Sequence, residues 1–355
     1  TEIYTLSLHD ALPICFELED GENERLGEAL LQLQVQESVD GLYHCQATFG
    51  NWGTRGRAPG FLYFDRQVLD FGKTFRVKVD DDTLFDGRIL GLEAVFPSDR
   101  PPEITVLAED RLQDLRMTRR TRTFADQSDA DVFGQIAGDH GLSPDLDVDG
   151  PTHKILAQLN QSDLAFLRER ARALGVELAV NGTTLRAAPR AAGGSPLELP
   201  YGNQLREFTV LADLAHQRTA LVASGWDVGA KSGLRHEAGD DCLGGELENG
   251  ESGASVLRSA LGERKESVAH TVPLSGEEAR TVAEAAFRLG ARRFLRGRGT
   301  AEPMTGLRVG ATVDLTGLGP LFSGSYYVSD IVHRFDGRSG FRTEFTVERP
   351  WLGRP

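Results

Sequence analysis

The chain has little of several things that would fix a function class. Only three of its 355 residues are cysteine, Cys15, Cys45 and Cys242, far apart and odd in number. That excludes a disulfide scaffold and a Cys-x-x-Cys metal clip. No stretch approaches ~20 consecutive apolar residues, and no basic-then-apolar leader opens the chain, so no membrane insertion and no signal peptide is expected. Basic residues are outnumbered, 39 Lys+Arg against 53 Asp+Glu, for a formal charge of -14. Such a surface repels polyanions, which disfavours nucleic acid and anionic lipid as partners. A His-Glu-x-x-His helix and a Gly-x-Ser-x-Gly elbow are missing, and the eight histidines are scattered. The expectation is therefore a non-enzyme, with no catalytic residue, no cofactor-binding residue, no metal ligand and no cofactor.

Three segments imitate functional motifs and each fails at a decisive position. Asp145 to Gly150, DLDVDG, begins like a calcium loop, but position twelve is Leu156 where a bidentate acid is required. Gly225 to Gly233, GWDVGAKSG, places Ala230 before Lys231-Ser232, where a phosphate-binding loop needs glycine. Arg116 to Phe124, RMTRRTRTF, carries Arg116, Arg119, Arg120 and Arg122 and reads as an exposed strand whose arginines pair with nearby carboxylates or a partner's acidic face.

What is plentiful is glycine, 40 residues, about 11% against a usual roughly 7%, which means many turns and short strands. Leu30 to Gln36 alternates apolar and polar, Asp40-Gly41 turns, and Leu42 to Phe49 returns, a hairpin pattern. Phe75, Val77 and Val79 alternate with Arg76 and Lys78 before further turns. Beyond the proline-punctuated Phe96 to Glu103 the period changes. Ser128 and Ser162 are placed to cap helices that Gly141 and Gly175 end, and Val176 to Val180 resumes alternation. Arg190 to Gly202 is the domain boundary by composition. Gly239 to Gly253 is acidic and poor in apolar residues, hence expected as a surface loop. Ser275 with Glu278 fits a capping box before a helix, and strands run from Leu307 to Val347.

The first fourteen residues, Thr1 to Ile14, read as the translation of a sequencing adapter and are set aside as non-native. The remainder divides into a first β-barrel domain at 15-105, an α/β segment and linker at 106-200, and a second β-barrel domain at 201-355 with a helical and acidic-loop insertion at about 230-296. The fold class is α+β and β-rich, with two related β-barrels joined by a small α/β segment.

Ile104 to Leu142, Leu156 to Val180 with its Ser-Asp-Leu and Phe-Leu, and Leu307 to Arg349 with Phe322-Ser323-Gly324, Tyr326-Tyr327-Val328 and His333 together resemble the phage late control D and VgrG-type baseplate hub proteins of contractile injection systems. The resemblance implies a homotrimer whose two barrels per chain present six near-equivalent modules, adapting a sixfold inner tube to a threefold spike. It implies a separate spike protein, the inner tube protein and other baseplate subunits as partners. Synthesis in the cytoplasm and assembly into a phage-tail-like particle follow from the same likeness. A second class of function is a carbohydrate- or receptor-binding module of such a particle, using Trp226, Phe322, Tyr326 and Tyr327, although aromatics near turns in β-rich chains mostly pack. A third is a hydrolase with paired acids.

Overall fold

The computed structural model describes residues 13–55, 57–190, 196–248, 250–269 and 271–354. Most of the adapter-like segment, residues 1–12, lies outside these, as do residues 191–195 of the compositional boundary. Ile14, placed in that segment from sequence, opens the strand Ile14–Leu18 and pairs with Val79.

The expected β-rich α+β class is what the chain adopts. Thirteen strands form one sheet in which two β-modules are fused. The first module contributes, in chain order, Ile14–Leu18, Leu30–Ser38, His44–Gly50, Thr74–Val79, Asp82–Val95 and Glu103–Glu109. The second contributes Leu197–Pro200, Leu205–Ala212, Leu295–Ala301, Thr312–Thr316, Gly324–Asp336 and Gly340–Arg349. Numbering each set one to six, both are hydrogen-bonded in the order 2-3-6-5-4-1. Bulges recur at matching places, at Leu31 and Arg206 in the second strands and at Leu90 and Ser329 in the fifth. Such irregularities are specific to a position, so their repetition argues for one module built twice. The modules differ at one margin, where strand one runs antiparallel to strand four in the first and parallel in the second. Among the described residues no ladder joins the ends of either module into a closed barrel.

Alternation dictates the strands' inner face. Phe75, Val77 and Val79 are buried, as are Val313 and Leu315 in the equivalent strand, while their neighbours are partly exposed. Phe16 packs edge-to-face on Phe49 and tilted against Phe75 in the first core, and Tyr326, Val328 and Ile331 lie in the second. Between the modules in sequence lies a segment with its own core of Phe133, Ile136, Leu167 and Leu185. Its helices start at the serines the sequence marks. Ser128 caps Asp129–Asp139 in a reciprocal box with Asp131, and Ser162 caps Asp163–Leu174, which ends at Gly175 with φ +72°.

The second module's strands two and three are separated by residues 213–294, where the first module needs only residues 39–43. This insertion holds the hairpin Ala220–Asp227 with Ser232–Ala238 and the helices Gly253–Leu261 and Gly276–Ala291. At the last helix Ser275 Oγ accepts from the Glu278 amide, but the Glu278 carboxylate accepts from Leu274 N–H rather than from the cap residue. The acidic Gly239 to Gly253 stretch is not an unpacked loop. Asp240–Leu247 forms 3-10 turns on either side of a kink at Gly244, where φ is +49°, with Leu243 buried, and Arg292 holds Glu246 through two bonds of 2.8 and 2.7 Å. The anchoring side chain comes from 46 residues away, beyond the reach of local composition.

Candidate functional site

The two modules meet at a seam that is itself a β-ladder. The fifth strand of the second module pairs antiparallel with the second strand of the first, from Asp330 opposite Ser38 to Asp336 opposite Gln32. Beside it, Glu37 is 1% exposed and faces Arg308, and its second oxygen accepts from Val309 N–H at 3.2 Å. Arg308 also donates to the carbonyls of Thr83 and Leu84 at 2.9 and 3.3 Å, so one guanidinium ties the second module to two strands of the first.

His333 is fully buried in the same seam, with Nδ1 3.0 Å from Thr343 Oγ1 and its ring stacked on Phe341. Burial, with the Arg308 charge adding to it, pushes its pKa from the usual value down to about 3. An unfolded histidine takes up a proton near pH 6.5 while the folded one stays neutral, so its contribution is complete above pH 6.5 and is lost on acidification towards pH 3. Asp110 acts oppositely, because burial raises its pKa to about 6, so its cost fades as pH falls from 6. The difference in stability between the wild type and His333→Gln isolates the histidine. That difference is expected to shift in favour of the variant by about 1.4 kcal/mol per pH unit below pH 6.5, measured by urea unfolding. A difference that stays constant between pH 7 and pH 4.5 refutes this account.

The segment between the modules carries a second internal repeat. Arg119–Ser128 and Thr152–Ser162 pair as a two-stranded ribbon, and each runs directly into a capped helix. The turnover is written Asp126-Gln127-Ser128-Asp129 in one and Asn160-Gln161-Ser162-Asp163 in the other, with Asp126 and Asn160 both at positive φ. Both first-turn aspartates are buried against charge from the opposite half. Asp129 receives Arg170 at 2.6 and 2.9 Å and His153 at 2.8 Å. Asp163 receives Arg122, His140 and Gln158 at 2.8 Å each, with Arg120 at 3.2 Å. Burial pushes the Asp163 carboxyl up, but His140, Gln158 and the arginines outweigh it and leave it below the usual value. Half of the basic run seen in the sequence is thus spent holding one aspartate. Away from the helices the ribbon shows Ile155 and Leu159, 68% and 65% exposed.

Arg190 joins this segment to the second module. It reaches Glu177 at 3.1 Å and Glu348 at 2.6 Å, and its guanidinium lies 3.6 Å from the centre of the Tyr327 ring, whose hydroxyl donates to Glu177. Burial and the Glu177 charge raise the Tyr327 pKa, so the phenol stays protonated as donor.

Two strand edges are left open. Among the described residues, Leu205–Ala212 is paired on one side only, apart from an isolated bridge between Tyr201 and Leu205. Gly91–Val95 pairs with Glu103–Glu109 and, again among the described residues, has no strand on its other side. By the matched order and bulges, Leu205–Ala212 is the equivalent of the seam strand Leu30–Ser38, and Gly91–Val95 is the equivalent of the seam residues from Asp330 onward. The open edges are therefore the counterparts of the two strands that make the seam.

The aromatics singled out from sequence do not form one surface. Trp226 is 53% exposed in the insertion's hairpin, whereas Tyr326 is buried in the second core with its hydroxyl 2.7 Å from the Phe322 carbonyl. Lys231-Ser232 sit at the turn of that hairpin, and Asp145 lies in the short strand Ser143–Leu146 with Arg186 at 3.9 Å. Among the described residues no group of three His, Cys, Asp or Glu side chains is arranged to hold a metal ion. Among them, too, no helix is long and apolar enough to cross a membrane. The open edges and the buried aspartates were not found from sequence, whereas the doubled module was expected there through the resemblance. The repeated Asp/Asn-Gln-Ser-Asp tetrapeptide was the one signal available for the aspartates.

Solved structures share this fold along nearly the whole chain. A 43 kDa tail protein of prophage MuSo2 from Shewanella oneidensis is similar at 12% identity and a TM-score of 0.69, covering 95% of this chain and 98% of that one. A tail protein from Neisseria meningitidis MC58 matches at 11% identity and 0.69, with 96% and 97% covered. The E. coli c3393 protein, a component of the type VI secretion system similar to T4 bacteriophage tail proteins, matches at 12% and 0.57, with 92% and 76% covered. No curated protein matches in sequence. The family model that matches carries a name different from the family the sequence resembles. It is that of the Alg8 N-terminal domain, it covers residues 69–336, well over half of the chain, and the chain belongs to that family.

Proposed function

We propose that this chain is the hub subunit of a contractile, phage-tail-like injection particle, of the late control D type. It acts as a homotrimer that adapts a sixfold inner tube to a threefold spike. The observation that carries this reading is the doubled module with one seam made and its counterpart left open. If Leu205–Ala212 of one copy lies against Gly91–Val95 of the next as Leu30–Ser38 lies against Asp330–Asp336 within the chain, each new contact repeats an existing one. Three copies related by a threefold axis then close into a ring of six near-identical modules, with no edge left over. The likeness to prophage tail proteins from end to end supports the same reading. Under it the division is 15-105, 106-200 and 201-355, the partners are a separate spike, the tube protein and other baseplate subunits, and the chain has no catalytic role. It is made in the cytoplasm and assembled into the particle.

Size-exclusion light scattering of the purified chain, with and without its spike, tests the proposal. The expected mass is three times 38.7 kDa. Leu211, 62% exposed on the open edge, contributes little to the monomer, so Leu211→Lys is expected to abolish the trimer while leaving the melting temperature of the monomer within about 2 °C. A wild type that stays monomeric even with spike present overturns the reading.

A further inference from the structure

A cleft of about 320 Å3 opens between the helix Asp163–Leu174, the helix Gly276–Ala291 and the second module's strands. Six arginines line it, Arg168, Arg172, Arg190, Arg292, Arg293 and Arg296, against the four carboxylates of Asp40, Glu177, Asp330 and Glu348. On a chain of net charge -14 this is a local inversion of sign.

Three of the six are already answered. Arg190 holds Glu177 and Glu348, Arg292 holds Glu246, and Arg172 approaches Asp40 at 3.4 Å. The other three have no carboxylate oxygen within 4.0 Å among the described residues. Arg168 donates only to main-chain carbonyls, those of Asp40 at 2.7 Å and Gly41 at 2.9 Å, which orient its guanidinium without neutralising it. Arg293 and Arg296 are exposed at the rim. Unpaired cations in a concave, partly desolvated site focus a positive field, and arginine forks take carboxylates in paired bonds. Glu246 displays that geometry, gripped by Nε and Nη2 of the cleft-lining Arg292.

We infer that this cleft is a docking site for an acidic peptide segment of a partner protein, recognised through two or three carboxylates by Arg168, Arg293 and Arg296. A peptide presents those carboxylates over a short span. An extended nucleic acid would have to run on across an acidic surface that repels it. The inference rests on no part of the ring reading.

The test is fluorescence anisotropy of fluorescein-labelled hexaglutamate with the full chain at low salt, with hexaglutamine as control. Saturable binding of hexaglutamate alone, weakening as salt is added, is expected. Arg293→Gln with Arg296→Gln is expected to weaken it by about tenfold or more, the loss of at least one charge-assisted contact. Both side chains are exposed, and an unchanged melting temperature and light-scattering mass separate lost binding from lost fold or assembly. No saturable binding, equal binding by the double variant, or tighter binding of a ten-nucleotide oligothymidine each overturns the inference.

Discussion

Arg308→Ala is expected to destabilise the chain by about 3–5 kcal/mol, because it strands the carboxylate of Glu37 in a site from which water is excluded. Only the Val309 amide at 3.2 Å would remain to answer that charge. The same change removes two bonds to the strand carbonyls of Thr83 and Leu84, so the loss falls where the modules join rather than within either core. The double variant Glu37→Gln with Arg308→Ala carries no buried charge and should therefore be more stable than Arg308→Ala alone. Equilibrium unfolding in guanidinium, followed for the wild type, both single variants and the double variant, gives the coupling directly. A cost below 1 kcal/mol for Arg308→Ala, or a double variant worse than it, shows that the pair does not hold the seam.

Asp163→Ala is expected to be comparably damaging, about 3–5 kcal/mol, for a related reason. The aspartate is 1% exposed and is the shared acceptor for Arg122, Arg120, His140 and Gln158. Its removal leaves cations from the ribbon facing one another over a helix N-terminus, where the helix dipole also disfavours positive charge. Asp163→Asn keeps an acceptor and the shape, so a smaller loss is expected. Hydrogen exchange should show the damage first in Arg119–Ser128 and Thr152–Ser162, whose pairing the aspartate pins to the helices. Unchanged protection of the ribbon in Asp163→Ala would contradict this assignment.

Local signals carried much of the fold. The serine caps at 128, 162 and 275 mark helix starts because a side-chain oxygen satisfies an orphan amide within three residues, a purely local bargain. The Asp40-Gly41 turn is legible for the same reason. The return strand nevertheless begins at His44 rather than Leu42, because Leu42 itself takes a positive φ of 63° and lengthens the loop. What local patterns did not carry was decided at a distance. Gly239 to Gly253 packs because Arg288, on a helix far along the chain, and Arg292, which caps the end of that helix, reach Cys242 O and Glu246. Asp163 reads as an ordinary first-turn acid, and its role depends on partners from three other elements. The repeated module was expected through the resemblance and not from internal similarity, because equivalent positions share register and not chemistry. Gln36 and Leu211 sit at the same rung, each opposite the equivalent residue of strand three, His44 and Arg296.

A head-to-tail contact between two unlike margins of one molecule is satisfied at any copy number, and only the angle between the two modules of a chain decides whether a set closes after three or winds on indefinitely. On the proposed ring reading, the Glu37 and Arg308 pair, which ties the second module to two strands of the first beside the seam ladder, then bears on pitch. A chain in which it is loosened should still recruit its neighbours but polymerise into open filaments, visible by negative-stain microscopy as fibres of the width of one subunit.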